Sequence, residues 1–297
     1  MIRIVYICII LMLSSVYTLF AQEWQEYYQS YQDEFANKDY DHAIINLNNA
    51  LLIIEDNNLL EGVDYALVLS ELGELYYITK EYENSIVYYQ KSNSVLDKNE
   101  SNKNICITNS ERIADAYFKL KDFKKSRKYY LEVLDLRENN NDKSSIEYSN
   151  TCKKIARVCI EMRKISEADD YYFKCKQIIE TNKGKESFEY LEVNAELAEY
   201  YRRRRQYDKA ENLYKENLEL SESLSGVSDT LYARNCENLA LFYMRMSKYN
   251  EAEKLILKTK EIFSNQLPSD DKRYIDAVYN LAILYKSKGE YILAEPL

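Results

Sequence analysis

The sequence is short of everything that breaks a helix, with five glycines and two prolines in 297 residues. That scarcity excludes a hairpin-rich β protein, a Gly/Pro-rich linker and a glycine-rich phosphate loop. Histidine is nearly absent as well. The single His42 cannot supply both a base and its partners, so no nucleophile, base and orienting group assemble around it, and the chain is read as non-catalytic. Six cysteines show no CxxC spacing and lie far from His42 in sequence, which excludes a zinc set and implies no cofactor. Basic charge is in deficit too. A net charge of −9 argues against nucleic acid as a partner, because phosphate contacts require a basic surface.

Long apolar runs are confined to the start. Met1-Ile2-Arg3 gives a positive opening, Ile4 to Leu13 an apolar run, and Ala21 a small residue for cleavage, so residues 1–21 read as a secretory signal peptide and the protein as exported, periplasmic or secreted. The alternative is an uncleaved anchor helix. A membrane enters only in that case, or if a C-terminal part beyond this chain is anchored. Removal of the leader leaves five cysteines, an odd number that argues against a disulfide framework. Cys159 and Cys175 fall in apolar and small-residue columns and read as buried fillers. A Cys159–Cys175 bridge is the alternative in an oxidising compartment.

What the chain does have is a period. Tyr82, Phe123, Ile165, Tyr207, Tyr249 and Tyr291 follow one another at steps of 41, 42, 42, 42 and 42 residues. Six positions before each stand Tyr76, Tyr117, Cys159, Tyr201, Tyr243 and Tyr285, preceded by pairs such as Leu72-Gly73, Leu197-Ala198 and Leu239-Ala240. Three positions after come Ser85, Ser126, Ala168, Ala210, Ala252 and Ala294. A fixed period of this length means stacked supersecondary units, each burying its apolar face against its neighbours.

Within a unit, Val68, Leu69, Leu72, Leu75 and Tyr76 follow a helical pattern that restarts at Tyr82, Ile86, Tyr89 and Leu96. The unit is therefore helix, tight turn, helix. The small-residue columns mark where two helices cross closely. Polar segments join the units, with Ser145, Asp229 and Asp271 as caps for the helices that follow. Of the 30 tyrosines, 17 fall in four repeat columns, so they read as core residues with satisfied hydroxyls in preference to a sugar platform or an aromatic cage.

Leu197-Ala198-Glu199-Tyr200-Tyr201 and its counterparts at Leu239 and Leu281, each followed by a tyrosine and then Ala, resemble tetratricopeptide repeats. The 42-residue length and Ala294-Glu295-Pro296-Leu297 are similar to the kinesin-light-chain type. The resemblance implies an all-α fold, a right-handed superhelical solenoid of antiparallel helix pairs. Residues 22–62 are expected to form an atypical N-terminal capping pair, since Trp24, Tyr28, Tyr31 and Phe35 do not fit the template. Residues 63–297 carry the tandem repeats, the last incomplete, which suggests that the chain is part of a longer protein.

The same resemblance implies a non-catalytic scaffold holding a protein or peptide in a concave groove lined by first-helix positions. The groove candidates are Lys153, Arg157, Arg203, Arg234, Asn238, Arg245 and Asn280. The asparagines suit an extended peptide, because an amide both donates and accepts. Arg202 to Arg205 sit where arginines favourably meet a helix C-terminus. The alternative is a sensory array of a larger protein, similar to the N-terminal parts of caspase-like CHAT-domain proteins or of membrane sensor kinases and regulators.

Overall fold

The computed structural model describes residues 23–57, 62–96, 102–139 and 142–297. The expected signal peptide lies outside the described residues. Every described element is a helix, and the helices alternate in two roles. First helices are α1 (residues 23–36), α3 (Val63–Ile78), α5 (Lys103–Lys119), α7 (Ile146–Glu161), α9 (Phe188–Arg203), α11 (Thr230–Arg245) and α13 (Lys272–Lys288). Second helices are α2 (Tyr40–Asp56), α4 (Tyr82–Val95), α6 (Phe123–Asn139), α8 (Ile165–Lys183), α10 (Tyr207–Ser225), α12 (Tyr249–Gln266) and the short α14 (Tyr291–Ala294). The all-α fold of tandem helix pairs is as the period predicts.

The chain divides into two compact units, one of residues up to Lys143 with Lys154–Ala168, the other of Ser144–Lys153 with Asp169–Leu297. In the first, Leu47, Leu51 and Ile54 of α2 bury against Val68, Leu69, Leu72 and Leu75 of α3. In the second, Tyr214 of α10, Leu239 and Phe242 of α11, Ile256 of α12 and Leu281 and Leu284 of α13 form one cluster. Burial of each such side chain contributes about 1.5–3 kcal/mol, so packing against neighbours, not helix propensity, holds the units.

One turn closes every helix pair. Lys38, Lys80, Lys121, Arg163, Arg205, Ser247 and Gly289 all have left-handed backbone, with φ between 58° and 79°. In each, the next residue donates its N–H five positions back, as Glu81 does to the Tyr76 carbonyl at 2.8 Å, and the left-handed residue donates three back, as Lys80 does to Tyr77 at 3.1 Å. These paired bonds satisfy the last carbonyls of the first helix. They offset the roughly 1–2 kcal/mol that left-handed backbone costs a residue with a Cβ, a cost that Gly289 alone escapes. The turn at Lys38 falls 42 residues before Lys80, so α1 and α2 share the backbone repeat despite their different aromatics.

The small columns are at the crossings. Ala114, Ala156, Ala198, Ala240, Ala168, Ala210 and Ala252 are fully buried, and a Cβ on Gly73 would meet the Tyr89 ring at 2.9 Å. A second device joins the helices of a pair. Ser92, Asn217 and Thr259, in three of the repeats, donate to the carbonyls of Ala66, Leu191 and Ala233, each 26 residues earlier, at 2.7, 2.7 and 3.1 Å. Cys175 occupies the same column against Ser149, and burial pushes its thiol up to about 11. Both Cys159 and Cys175 are free and buried, so the bridge considered above is not made.

The expected caps form, with Ser145 accepting from the Tyr148 N–H at 2.9 Å, Asp229 from Leu231 at 2.7 Å and Asp271 from Arg273 at 2.9 Å. The tyrosine expectation holds unevenly. Tyr89, Tyr130, Tyr172 and Tyr214 are core residues, whereas the column of Tyr82 is half-buried or exposed, reaching 67% exposure at Tyr291. That column lies on the first turn of each second helix, beside the tight turn, where one flank faces solvent.

Candidate functional site

The first-helix face is mostly occupied by its own charges. In the first unit Glu74 of α3 accepts the Tyr89 hydroxyl at 2.6 Å and pairs with Arg112 of α5 at 3.0 Å. Asp115 of α5 accepts the Tyr130 hydroxyl and pairs with Lys154 at 2.9 Å, and Lys154 also reaches Glu111 at 3.0 Å. Burial, reinforced by these carboxylates, raises both tyrosines well above the usual phenol range. Arg157 on the same helix as Lys154 also engages a neighbouring group.

The second unit starts in the same way. Lys153, with its side chain only 12% exposed, lies between Glu192 at 3.3 Å and Glu196 at 3.6 Å of α9. Arg203 is exposed but pairs with Glu199 at 2.9 Å, and Arg202 pairs with the same carboxylate at 2.5 Å. The run Arg202–Arg205 thus partly serves its own helix. These ties consume charge that the sequence alone offers to a ligand.

The pattern changes at α11. Counting two residues past the Leu or Ile of each pair, the face carries Glu74, Asp115, Arg157 and Glu199, then Leu241 and Ile283. The tyrosine opposite, present at Tyr89, Tyr130, Tyr172 and Tyr214, gives way to the buried Ile256. One residue before each pair, Glu71, Arg112, Lys154 and Glu196 give way to Asn238 and Asn280. Asn238 is half-buried and makes no side-chain hydrogen bond among the described residues. Asn280 donates to Glu237 at 2.8 Å, and burial pushes the Glu237 carboxyl up against the pull of that bond.

Arg245 is exposed at the end of α11, and Arg234 is exposed at its start, its guanidinium 5.1 Å from the centre of the Phe188 ring. Arg234 and Phe188 border a cleft of about 290 Å³ floored by Phe263 and flanked by Leu231, Glu237 and Arg273. Of the seven sequence-predicted groove residues, the structure therefore brings Arg234, Asn238, Arg245 and Asn280 onto one pair of first helices and ties Lys153 and Arg203 to acids. Sequence reasoning missed Leu241, Ile283 and Glu237. For Leu241 and Ile283 the signal was the replacement of charge by aliphatic residues in one column of the last two repeats, whereas Glu237 carried none.

Two family models described as tetratricopeptide repeat match the sequence, at residues 111–140 and 195–230. The chain carries tetratricopeptide repeats. Its fold is similar to that of BtubC (BKLC) from P. vanneervenii, at 17% identity and TM-score 0.59 over 79% of this chain and 91% of that one. It is also similar to the putative kinesin light chain repeats of Podosopora anserina, at 17% identity and TM-score 0.55 over 67% of this chain and 92% of that one. The apo form of RapI matches at 11% identity and TM-score 0.60, covering 90% and 99%. No curated protein matches the sequence.

Outside this face, His42 lies with Glu34 and Asp39 at the first turn, their ligand atoms within 4.8 Å. Asp39 caps α2 and takes the His42 ring at 2.8 Å, so the cluster has a structural role on an exposed surface. Among the described residues, no helix is long and apolar enough to cross a membrane.

Glu199 gives this face a measurable acid sensitivity. Hydrogen bonds from Arg202 and then Arg203 hold its carboxyl at about 2, against an ordinary 4.5. A folded pKa below the unfolded one adds stability that is complete above 4.5 and disappears as pH falls toward about 2. The partial exposure of the pair limits its share to under about 1 kcal/mol. Thermal midpoints across that window should fall less steeply for Glu199→Gln than for the parent chain. Identical slopes would show that the pair adds nothing.

Proposed function

We propose that this chain is an exported, non-catalytic scaffold that holds an extended peptide or partner-protein segment on the α11 and α13 first-helix face. The observation that carries the reading is the switch at Asn238/Leu241 and Asn280/Ile283 from self-paired charge to amides flanked by aliphatic side chains. Two amides one repeat apart suit a peptide backbone, which presents donors and acceptors in alternation. Leu241 and Ile283 suit its apolar side chains, and Arg234 and Arg245 suit acidic groups at either end. The likeness to a Rap protein crystallised in complex with competence and sporulation factor, at 17% identity and TM-score 0.51, supports a peptide or protein as the ligand class.

A second reading places the repeats as the sensor of a larger signalling protein. It draws on the likeness to a signal-transduction ATPase with a tetratricopeptide repeat sensor, at 17% identity and TM-score 0.58, of which this chain covers 36%. Reading the gene beyond Leu297 for a catalytic domain separates the two.

The test selects binders to the intact chain from a displayed library of random linear peptides. Asn238→Ala combined with Arg245→Ala should weaken the selected peptides more than about tenfold, since truncating central contacts commonly costs over 1 kcal/mol. Lys209→Glu, in the second helix α10, should leave affinity within about twofold. Loss confined to Lys209→Glu would move the site off the first-helix face and overturn these assignments.

A further inference from the structure

Helix α13, in the second unit, turns outward a face that its counterparts bury. Ile275 is 51% exposed, yet its column elsewhere holds Ala66, Ile107, Ser149, Leu191 and Ala233, all at 5% or less. Ala282 is partly exposed, whereas Ala114, Ala156, Ala198 and Ala240 are sealed. The column of Tyr279 meets the next first helix, since Lys153 in it pairs with Glu192 of α9, and Glu237 accepts from Asn280 of α13. Its other members are polar or small, namely Ser70, Glu111, Lys153, Ala195 and Glu237. Tyr279 replaces them with an aromatic ring that is 64% exposed.

The stripe around Tyr279 is ordered. Lys272, Asp276, Tyr279, Ile283 and Lys286 follow one another at steps of four, three, four and three residues, the spacing of a two-helix seam. Tyr279 and Ile283 stand two residues either side of position 281, and Asp276 and Lys286 stand five either side. Lys272 and Glu290 stand nine either side. Lys272, Asp276 and Lys286 are exposed and make no ion pair among the described residues. The charges beside them are held within the chain, Arg273 by Asp271 at 2.8 Å, and Lys288 by Glu253 at 2.7 Å and Glu290 at 2.9 Å.

We propose that this stripe is a self-association seam whose occupant is the same helix of a second copy, running antiparallel. A two-fold axis passing beside position 281 sets each Tyr279 on the partner's Ile283 and each Asp276 against the partner's Lys286. Lys272 then faces the partner's Glu290. Sliding the helices by one turn opposes Lys272 to Lys286 in one direction and Asp276 to Glu290 in the other. Like charges directly opposed are destabilising, so a single register is selected. Such an interface is isologous, each contact occurring twice, and it closes as a dimer. The seam shares Ile283 with the peptide face, whereas Asn238 and Arg245 of α11 lie outside it.

The test is sedimentation of the purified full chain up to about 100 μM, because a single helix pair buries less than a standard interface and associates weakly. A concentration-dependent dimer is expected. Asp276→Lys and Lys286→Glu should each raise the dissociation constant at least about tenfold, since each opposes like charges at two symmetric contacts. Mixed, these two variants should form a heterodimer, in which both contacts are again opposite in sign, and the double variant should regain the homodimer. Tyr279→Ala, at an exposed position that the fold does not need, should weaken the dimer by a similar factor. Helical circular dichroism checks that every variant folds. Asn238→Ala with Arg245→Ala, the pair that tests peptide binding, should leave the dimer unchanged, so the two readings fail separately. A parent chain that stays monomeric overturns the proposal, whether or not the seam captures a helix of another protein. So does a dimer that neither reversal weakens, or a pair of folded reversal variants that do not associate with each other.

Discussion

Truncating Phe242 to alanine should lower stability by about 3–5 kcal/mol, the largest effect expected of any single substitution considered for this chain. Phe242 is 2% exposed, with its ring 5.4 Å from Tyr214 and 5.8 Å from Tyr243, centre to centre. It sits where α10 meets α11, beside the fully buried Ala210 and Ala240. Helices already in close contact at these alanines cannot move inward to fill the space, so the lost contacts are not recovered. In a repeat array, stability is a sum of unit and nearest-neighbour contributions, so the damage should concentrate in α10 to α13. Denaturant titration measures the total, and amide hydrogen exchange locates it, with α2 to α4 expected to retain their protection. A total loss below about 1 kcal/mol would show that this crossing repacks freely.

Asn109→Leu should cost about 2–3 kcal/mol by a different route, because it strands hydrogen-bonding groups in the first unit. The Asn109 amide donates to the Ser92 hydroxyl at 3.0 Å and to the Asn93 side-chain oxygen Oδ1 at 2.9 Å, and accepts from Ser70 at 3.0 Å. Ser92 in turn donates to the Ala66 carbonyl, so α3, α4 and α5 share one network. Leucine fills a similar volume but leaves Asn93 Oδ1 and the Ser92 hydroxyl without that donor and removes an acceptor from Ser70. Combining it with Ser70→Ala and Asn93→Ala removes two of the three stranded partners, while Ser92 keeps its bond to the Ala66 carbonyl, and should restore part of the loss, since deleting both sides of a buried bond is far less costly than deleting one. Urea midpoints of the single and triple variants measure this directly. A triple variant no more stable than Asn109→Leu alone would mean that size and shape, not stranded polarity, set the cost.

The helix pairs, the crossings at Ala114, Ala198 and Ala240, and the caps at Ser145, Asp229 and Asp271 were legible in the sequence because each depends on residues within a few turns of one another. The tight turns were less so. Lysine or arginine at Lys38, Lys80, Lys121, Arg163 and Arg205 carries no local signature of left-handed backbone, and only Gly289 announces it. The candidate groove was legible as a set of columns, but not which of its members remain available to a ligand. Lys153 and Asn280 occupy the columns expected of them, yet each spends hydrogen bonds on an acid 39 or 43 residues away.

By itself the sequence determined a tandem array of helix pairs, since within a 42-residue period its apolar residues recur twice at helical spacing and each pair buries its face against the next. Only the tertiary structure decided which charges on those faces neutralise one another, which tyrosines are sealed against carboxylates, and that α11 and α13 present amides and aliphatic groups instead. The physical reason is range. Helical periodicity and capping act over three to five residues and are written along the chain, whereas pairing between consecutive first helices joins residues some forty positions apart and depends on how closely the backbones approach.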